Sequence, residues 1–125
     1  MSREWTKSDV YFLEAVGVAE FRGDGDLSSV IETADSIVHE ILTREEIEES
    51  VARLVSANLI EVDESRVFTL TSKAKFLLKE SPTRNSVERI RWMQSALKMK
   101  VEFGDEVDTW PLDDAAYSEA IAKRQ

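Results

Sequence analysis

Leu42-Thr43-Arg44-Glu45-Glu46-Ile47, running on to Leu54-Val55-Ser56-Ala57-Asn58-Leu59-Ile60-Glu61-Val62, is the stretch that decides the fold. Thr43 and Glu46 stand at capping-box spacing, and Leu42 and Ile47 form a hydrophobic staple around that cap, so a helix starts at Thr43. Ile47, Val51, Leu54 and Val55 give it an apolar stripe at helical spacing. Asn58 is a residue that tolerates the left-handed conformation and stops the helix. Leu59 to Val62 is then a short β-favouring run. Asp63-Glu64-Ser65 reads as a turn and Arg66 to Leu70 as a second run, which together make a hairpin.

Working outward, Leu27, Val30, Ile31, Ala34, Ile37, Val38, Ile41 and Leu42 repeat at three and four residues, and they predict a helix over Leu27 to Leu42. That helix abuts the next with almost no loop. Before it, Arg22-Gly23-Asp24-Gly25-Asp26 is a breaker loop. Trp5 to Phe21 is predicted helical, capped by Thr6 with Asp9 at its third position, stapled by Trp5 and Val10, and apolar at Val10, Leu13, Val16 or Gly17, and Ala19 to Phe21. Downstream, Thr71 or Ser72 caps a short helix to about Glu80, and Pro82 closes it. Asn85 and Glu88 cap a helix from Ser86 to about Met99, with Val87, Ile90, Trp92 or Met93, and Leu97 as apolar positions. Val101 to Pro111 is an acidic connector containing Gly104. Asp113 caps a last helix, with Leu112 and Tyr117 as its staple and Ile121 further along.

Three helices, a hairpin and a fourth helix, in that order, resemble the winged helix-turn-helix fold. The resemblance covers about residues 6–80 and rests on the 42–62 stretch, the wing Asp63 to Phe68, and Leu70-Thr71-Ser72-Lys73-Ala74-Lys75-Phe76-Leu77-Leu78 after it. With the Trp110-Pro111-Leu112 ending, the chain is also similar to small acidic bacterial proteins. The expected fold is mainly α with one small two-stranded hairpin. Residues 1–80 form the winged-helix domain, and residues 81–125 form a helical extension packed on it or on a second subunit. The resemblance implies that such extensions mediate dimerisation. Here Val87, Ile90, Trp92, Met93, Leu97, Tyr117 and Ile121 would supply the packing.

Composition narrows the chemistry. The chain has 125 residues, 42% of them hydrophobic, which is enough for one core. It has no cysteine and one histidine, which removes disulfide scaffolds, thiolate metal sites and most triads. No apolar run reaches the ~18 residues of a membrane span. Met1 to Asp9 lacks the apolar core of a signal peptide, so the expected compartment is the cytoplasm. Asp35 and His39, one helical turn apart, could orient an imidazole, but one helix face supplies neither nucleophile nor oxyanion site; a half-exposed histidine is the ordinary alternative. Asp24, Asp26, Ser28, Glu32 and Asp35 imitate part of a calcium loop, yet Ser29 stands where that loop needs glycine; a Gly/Asp turn capped by Asp26 is the ordinary alternative. No metal, cofactor or catalytic residue is therefore expected.

Charge carries more. The net charge is −9. Residues 1–64 hold 5 basic and 16 acidic side chains, residues 65–100 hold 9 and 2, and residues 101–125 hold 2 and 7. A basic block on an acidic body points to a polyanion or to acidic protein surface. In the position of a DNA-reading helix, Arg44 is outnumbered by Glu45, Glu46, Glu48 and Glu49, which repel phosphate. The basic residues Arg66, Lys73, Lys75, Lys79, Arg84, Arg91 and Lys98 are the candidate contacts, with Arg84, Arg91 and Lys98 at seven-residue steps. Trp5, Trp92 and Trp110 could form an aromatic cage, but more often anchor chain ends. The expected function is a non-catalytic regulatory or scaffold module that binds itself as a homodimer or binds another protein. The alternative is a transcriptional regulator that grips double-stranded DNA phosphates through the wing and the segment 66–100. No membrane partner is expected.

Overall fold

The structure is a computed structural model that describes residues 4–101 and 109–123. The described chain is mainly helical with one small antiparallel sheet. Its elements are α1 (Lys7–Phe21), α2 (Leu27–Val38), α3 (Arg44–Ser56), β1 (Ile60–Val62), β2 (Phe68–Leu70), α4 (Ser72–Lys79), α5 (Ser86–Lys100) and α6 (Asp114–Lys123). Most of the connector predicted over 101–111, Gly104 included, lies outside the described residues.

Helix starts follow the caps. Thr6, Asp26, Thr43, Thr71 and Asn85 each accept a backbone N–H of the following turn, and Thr6–Asp9 and Thr43–Glu46 close full capping boxes. Asp113 Oδ1 likewise accepts the Ala116 N–H at 2.7 Å. Helix α2 is shorter than predicted. His39 takes a left-handed φ of 58° and ends it at Val38, so His39 to Thr43 form a loop where the periodicity suggests continuous helix. Asp35 and His39 therefore do not share a helical turn as side chains; the His39 backbone N–H donates to the Asp35 carbonyl, and the imidazole is exposed.

The hairpin is also shorter than predicted. Ile60 pairs with Leu70 and Val62 with Phe68. Arg66, expected to begin a strand, sits in the turn with φ 59°, and Asp63 Oδ1 accepts from the backbones of Ser65 and Val67. A further edge joins the sheet. Asp26 bridges to Val67, and the Phe68 N–H donates to the Gly25 carbonyl at 2.8 Å. A Cβ at Gly25 would stand 2.5 Å from the Phe68 carbonyl oxygen, so only glycine permits this approach.

One cluster of buried side chains runs from Val10 in α1 to Ala120 in α6. Helix α1 lies at its centre and contacts α2, α3, β2 and α5. Phe12 meets Phe68 edge-on at 5.2 Å, and Phe68 meets Trp110 at 5.7 Å, which fastens the 109–112 segment to the core. The extension packs on its own chain. Ile90, Met93 and Leu97 are buried, and each contributes roughly 1.5–3 kcal/mol by burial. Met93 rather than Trp92 faces inward, while Trp92, Tyr117 and Ile121 are half-buried against the same core. Val87 is the exception and stays exposed.

Other apolar expectations are overturned too, and Ile41, read into the buried stripe of the second helix, is exposed in the loop after α2. Phe21, read as part of the buried stripe of α1, is 92% exposed because it falls on the last residue of the helix, beyond its neighbours. Val55, assigned to the buried face of α3, is exposed, and Arg53 is buried in that stretch instead.

Candidate interaction surface

The outward side of α3 is anionic. Glu45 and Glu49 are exposed and Glu48 is half-exposed. Arg44 is committed within the chain. Its guanidinium meets Glu48 at 2.8 Å, Glu45 at 2.9 Å and Asp114 at 2.8 Å, and donates to the Leu112 carbonyl at 3.0 Å. Burial pulls the Arg44 pKa down, but the Glu48, Glu45 and Asp114 carboxylates outweigh it and hold the cation above its ordinary value. Glu48 returns the contact by accepting the Leu112 N–H at 2.7 Å, and the Tyr117 hydroxyl donates to the Leu42 carbonyl at 2.6 Å. The start of α3 is thus clamped to the start of α6.

The basic segment divides into two sets. One is used internally. Arg89 forks Glu14 on α1, with Nε donating to Oε1 at 2.8 Å, and the Ser86 hydroxyl donates to the same carboxylate. The Glu14 hydrogen bonds raise the Arg89 pKa further than burial lowers it. Lys75 pairs with Glu20 and Lys100 with Glu80, and Lys73 Nζ donates to the Ala57 carbonyl at the end of α3. The other set, Arg66, Lys79, Arg84, Arg91 and Lys98, is exposed and makes no ion pair among the described residues. The candidate cations are therefore not one surface.

Two of the free cations stand beside a groove. Glu14, Gly17, Val18 and Phe21 of α1, Leu70 of β2, Leu78 and Lys79 at the end of α4, and Arg84 and Arg89 enclose a volume of about 350 Å³. Its floor is apolar and its edge is cationic. Gly17 makes room for it, since a Cβ there would come 3.2 Å from the Leu70 side chain. No residue of α3 contributes. Sequence reasoning missed Phe21, Leu70 and Leu78 as a surface, because each is an apolar residue that periodicity assigns to a core.

It also missed the burial of two carboxylates, Glu14, held by Arg89 as above, and Asp9. Asp9 is fully buried and receives both Nε and Nη2 of buried Arg53 at 2.8 and 2.9 Å. Asp26, considered above as a calcium ligand, caps α2 through the Ser29 N–H at 2.8 Å. The tryptophans do not meet as a cage. Trp5 Nε1 donates to the Val101 carbonyl at 3.3 Å, Trp110 meets Phe68 edge-to-face, and Lys100 lies 5.8 Å from the Trp92 ring. Among the described residues no three His, Cys, Asp or Glu side chains gather to hold a metal, and no helix is long and apolar enough to cross a membrane.

No protein-family model, curated protein or solved structure matches the chain.

Proposed function

We propose that the chain is a winged-helix module that works without catalysis by binding protein surface, in a regulatory or scaffold role. The order of three helices, hairpin and helix, with the Gly25–Phe68 edge added to the hairpin, supports the winged-helix reading. The observation that carries the function is the anionic outward side of α3. In a DNA reader this helix enters the major groove, and phosphate contacts supply most of the affinity. Here it offers Glu45, Glu48 and Glu49, and its Arg44 is already held by three carboxylates. The cation-edged apolar groove is instead built like a protein-docking surface, with an exposed aromatic beside arginine.

A second reading rests on Arg84, Arg91 and Lys98, which are exposed and unpaired among the described residues and would serve phosphates. Fluorescence anisotropy of a labelled mixed-sequence duplex at low and moderate salt decides between them. The protein-binding reading expects no saturation at low salt. Binding in the micromolar range that weakens steeply with salt, and is lost in Arg91→Glu, would establish the DNA reading instead.

A further inference from the structure

We infer that the occupant of the α1/β2/α4/α5 groove is a second copy of this chain, inserted by the loop before α3. This rests on the protein-binding reading above and names its partner. The groove presents Val18, Phe21, Leu70 and Leu78 with Lys79 and Arg84 at its edge. A fitting partner shows an exposed apolar side chain flanked by carboxylates. Among the described residues, the loop before α3 is such an element. Ile41 is 44% exposed in the His39–Thr43 loop, Glu40 beside it is exposed and makes no ion pair among the described residues, and the Glu45 side chain at the start of α3, though it meets Arg44, is 68% exposed.

Charge decides how the copies meet. Two grooves placed face to face would bring Lys79 and Arg84 of one copy against the same side chains of the other, and like charges at an interface are costly. Groove against loop pairs cations with carboxylates and covers Phe21, whose 92% exposure leaves a large apolar ring in water. The contact is between unlike surfaces, so it closes into a pair if both copies engage reciprocally and otherwise extends into chains. The net charge of −9 repels copies at long range, so the association is weak and depends on local complementarity.

Sedimentation velocity on the full chain tests this with two charge reversals at exposed sites. One variant is Lys79→Glu with Arg84→Glu, the other Glu40→Lys with Glu45→Lys. The wild type is expected to associate as loading rises toward about a hundred micromolar, each variant alone to lose at least about tenfold in affinity, and their equimolar mixture to regain it. The mixture is decisive, because both the reversed pair and the native pair are then matched. Unchanged helical circular dichroism excludes misfolding. A mixture that stays monomeric, or variants that associate like the wild type, overturns the contact. A wild type that is monomeric throughout and ignores duplex DNA overturns the self-contact and leaves the protein-binding reading standing. Salt-sensitive capture of DNA overturns that reading itself.

Discussion

Helix α1 receives an arginine fork on two sides, and the two forks differ in kind. Asp9 meets Arg53 of α3 with both side chains essentially out of water, at 0% and 1% exposure. Glu14 meets Arg89 of α5 with the carboxylate buried but the arginine 19% exposed, on the wall of the groove. Five residues separate the two acids, which on a helix turns them to different sides. The inner pair has no water to fall back on, so it is a fixed part of the core. The outer pair has water one side chain away. It aligns the extension, shapes one edge of the candidate docking surface, and leaves Lys79 and Arg84 as the groove's free cations.

Removing one partner measures that difference. Arg53→Ala leaves Asp9 buried and uncompensated and is expected to cost about 3–5 kcal/mol, a large part of a small domain's stability. Arg53→Met with Asp9→Leu is expected to recover a good part of that loss, since no buried charge remains. Recovery is incomplete, because Asp9 Oδ2 also accepts the Thr6 N–H at 2.8 Å in the first capping box. Urea unfolding midpoints of the three proteins check this. Equal losses in single and double variants would show that the helix cap, not the ion pair, holds α1 to α3. Arg89→Ala is expected to cost less, about 1–3 kcal/mol, because the Ser86 hydroxyl and groove water still reach Glu14. Hydrogen exchange should locate that loss in α5 while α3 keeps its protection. A loss as large as that of Arg53→Ala would make the two forks equivalent and the groove wall part of the core.

The same contrast explains what the sequence discloses. Caps are local chemistry, so Thr6, Thr43 and Asn85 were legible from spacing alone, as was the left-handed stop at Asn58, where φ is 60°. The apolar positions Ile90 and Leu97 followed from periodicity, which could choose neither between Trp92 and Met93 nor between the same chain and a second copy as the partner. Period cannot say where an apolar helix face runs out of neighbours, and this is why Phe21 and Val55 were assigned inward. Nor can it see the Gly25–Phe68 edge, which joins residues far apart in sequence. Arg53 left one trace: a lone arginine within Val51-Ala52-Arg53-Leu54-Val55 needs a buried acid, and Asp9, just before an equally apolar run, is such an acid. The block charges were visible, but their division into internal pairs and free cations depends on which helix faces meet.

The smallest expected effect concerns a third acid–donor contact, which lies between the other two in character. Glu46 closes the capping box of α3 by accepting the Thr43 N–H at 2.9 Å, and it also accepts the Ser8 hydroxyl of α1 at 2.7 Å. Burial pushes its carboxyl up, but the hydrogen bonds from Thr43 and Ser8 outweigh this and hold it below the ordinary carboxylate range. A carboxyl whose pKa is lower in the folded chain adds stability above its unfolded value of about 4.3, and that share is lost as pH falls through the folded value. Glu46→Gln keeps the shape and removes the titration. It should lower stability at neutral pH by about 0.5–1.5 kcal/mol, with the gap to the wild type closing as the solution is acidified below about pH 4. Thermal unfolding followed across that range reads the convergence directly. A gap that stays constant with pH would mean that Glu46 acts through shape alone.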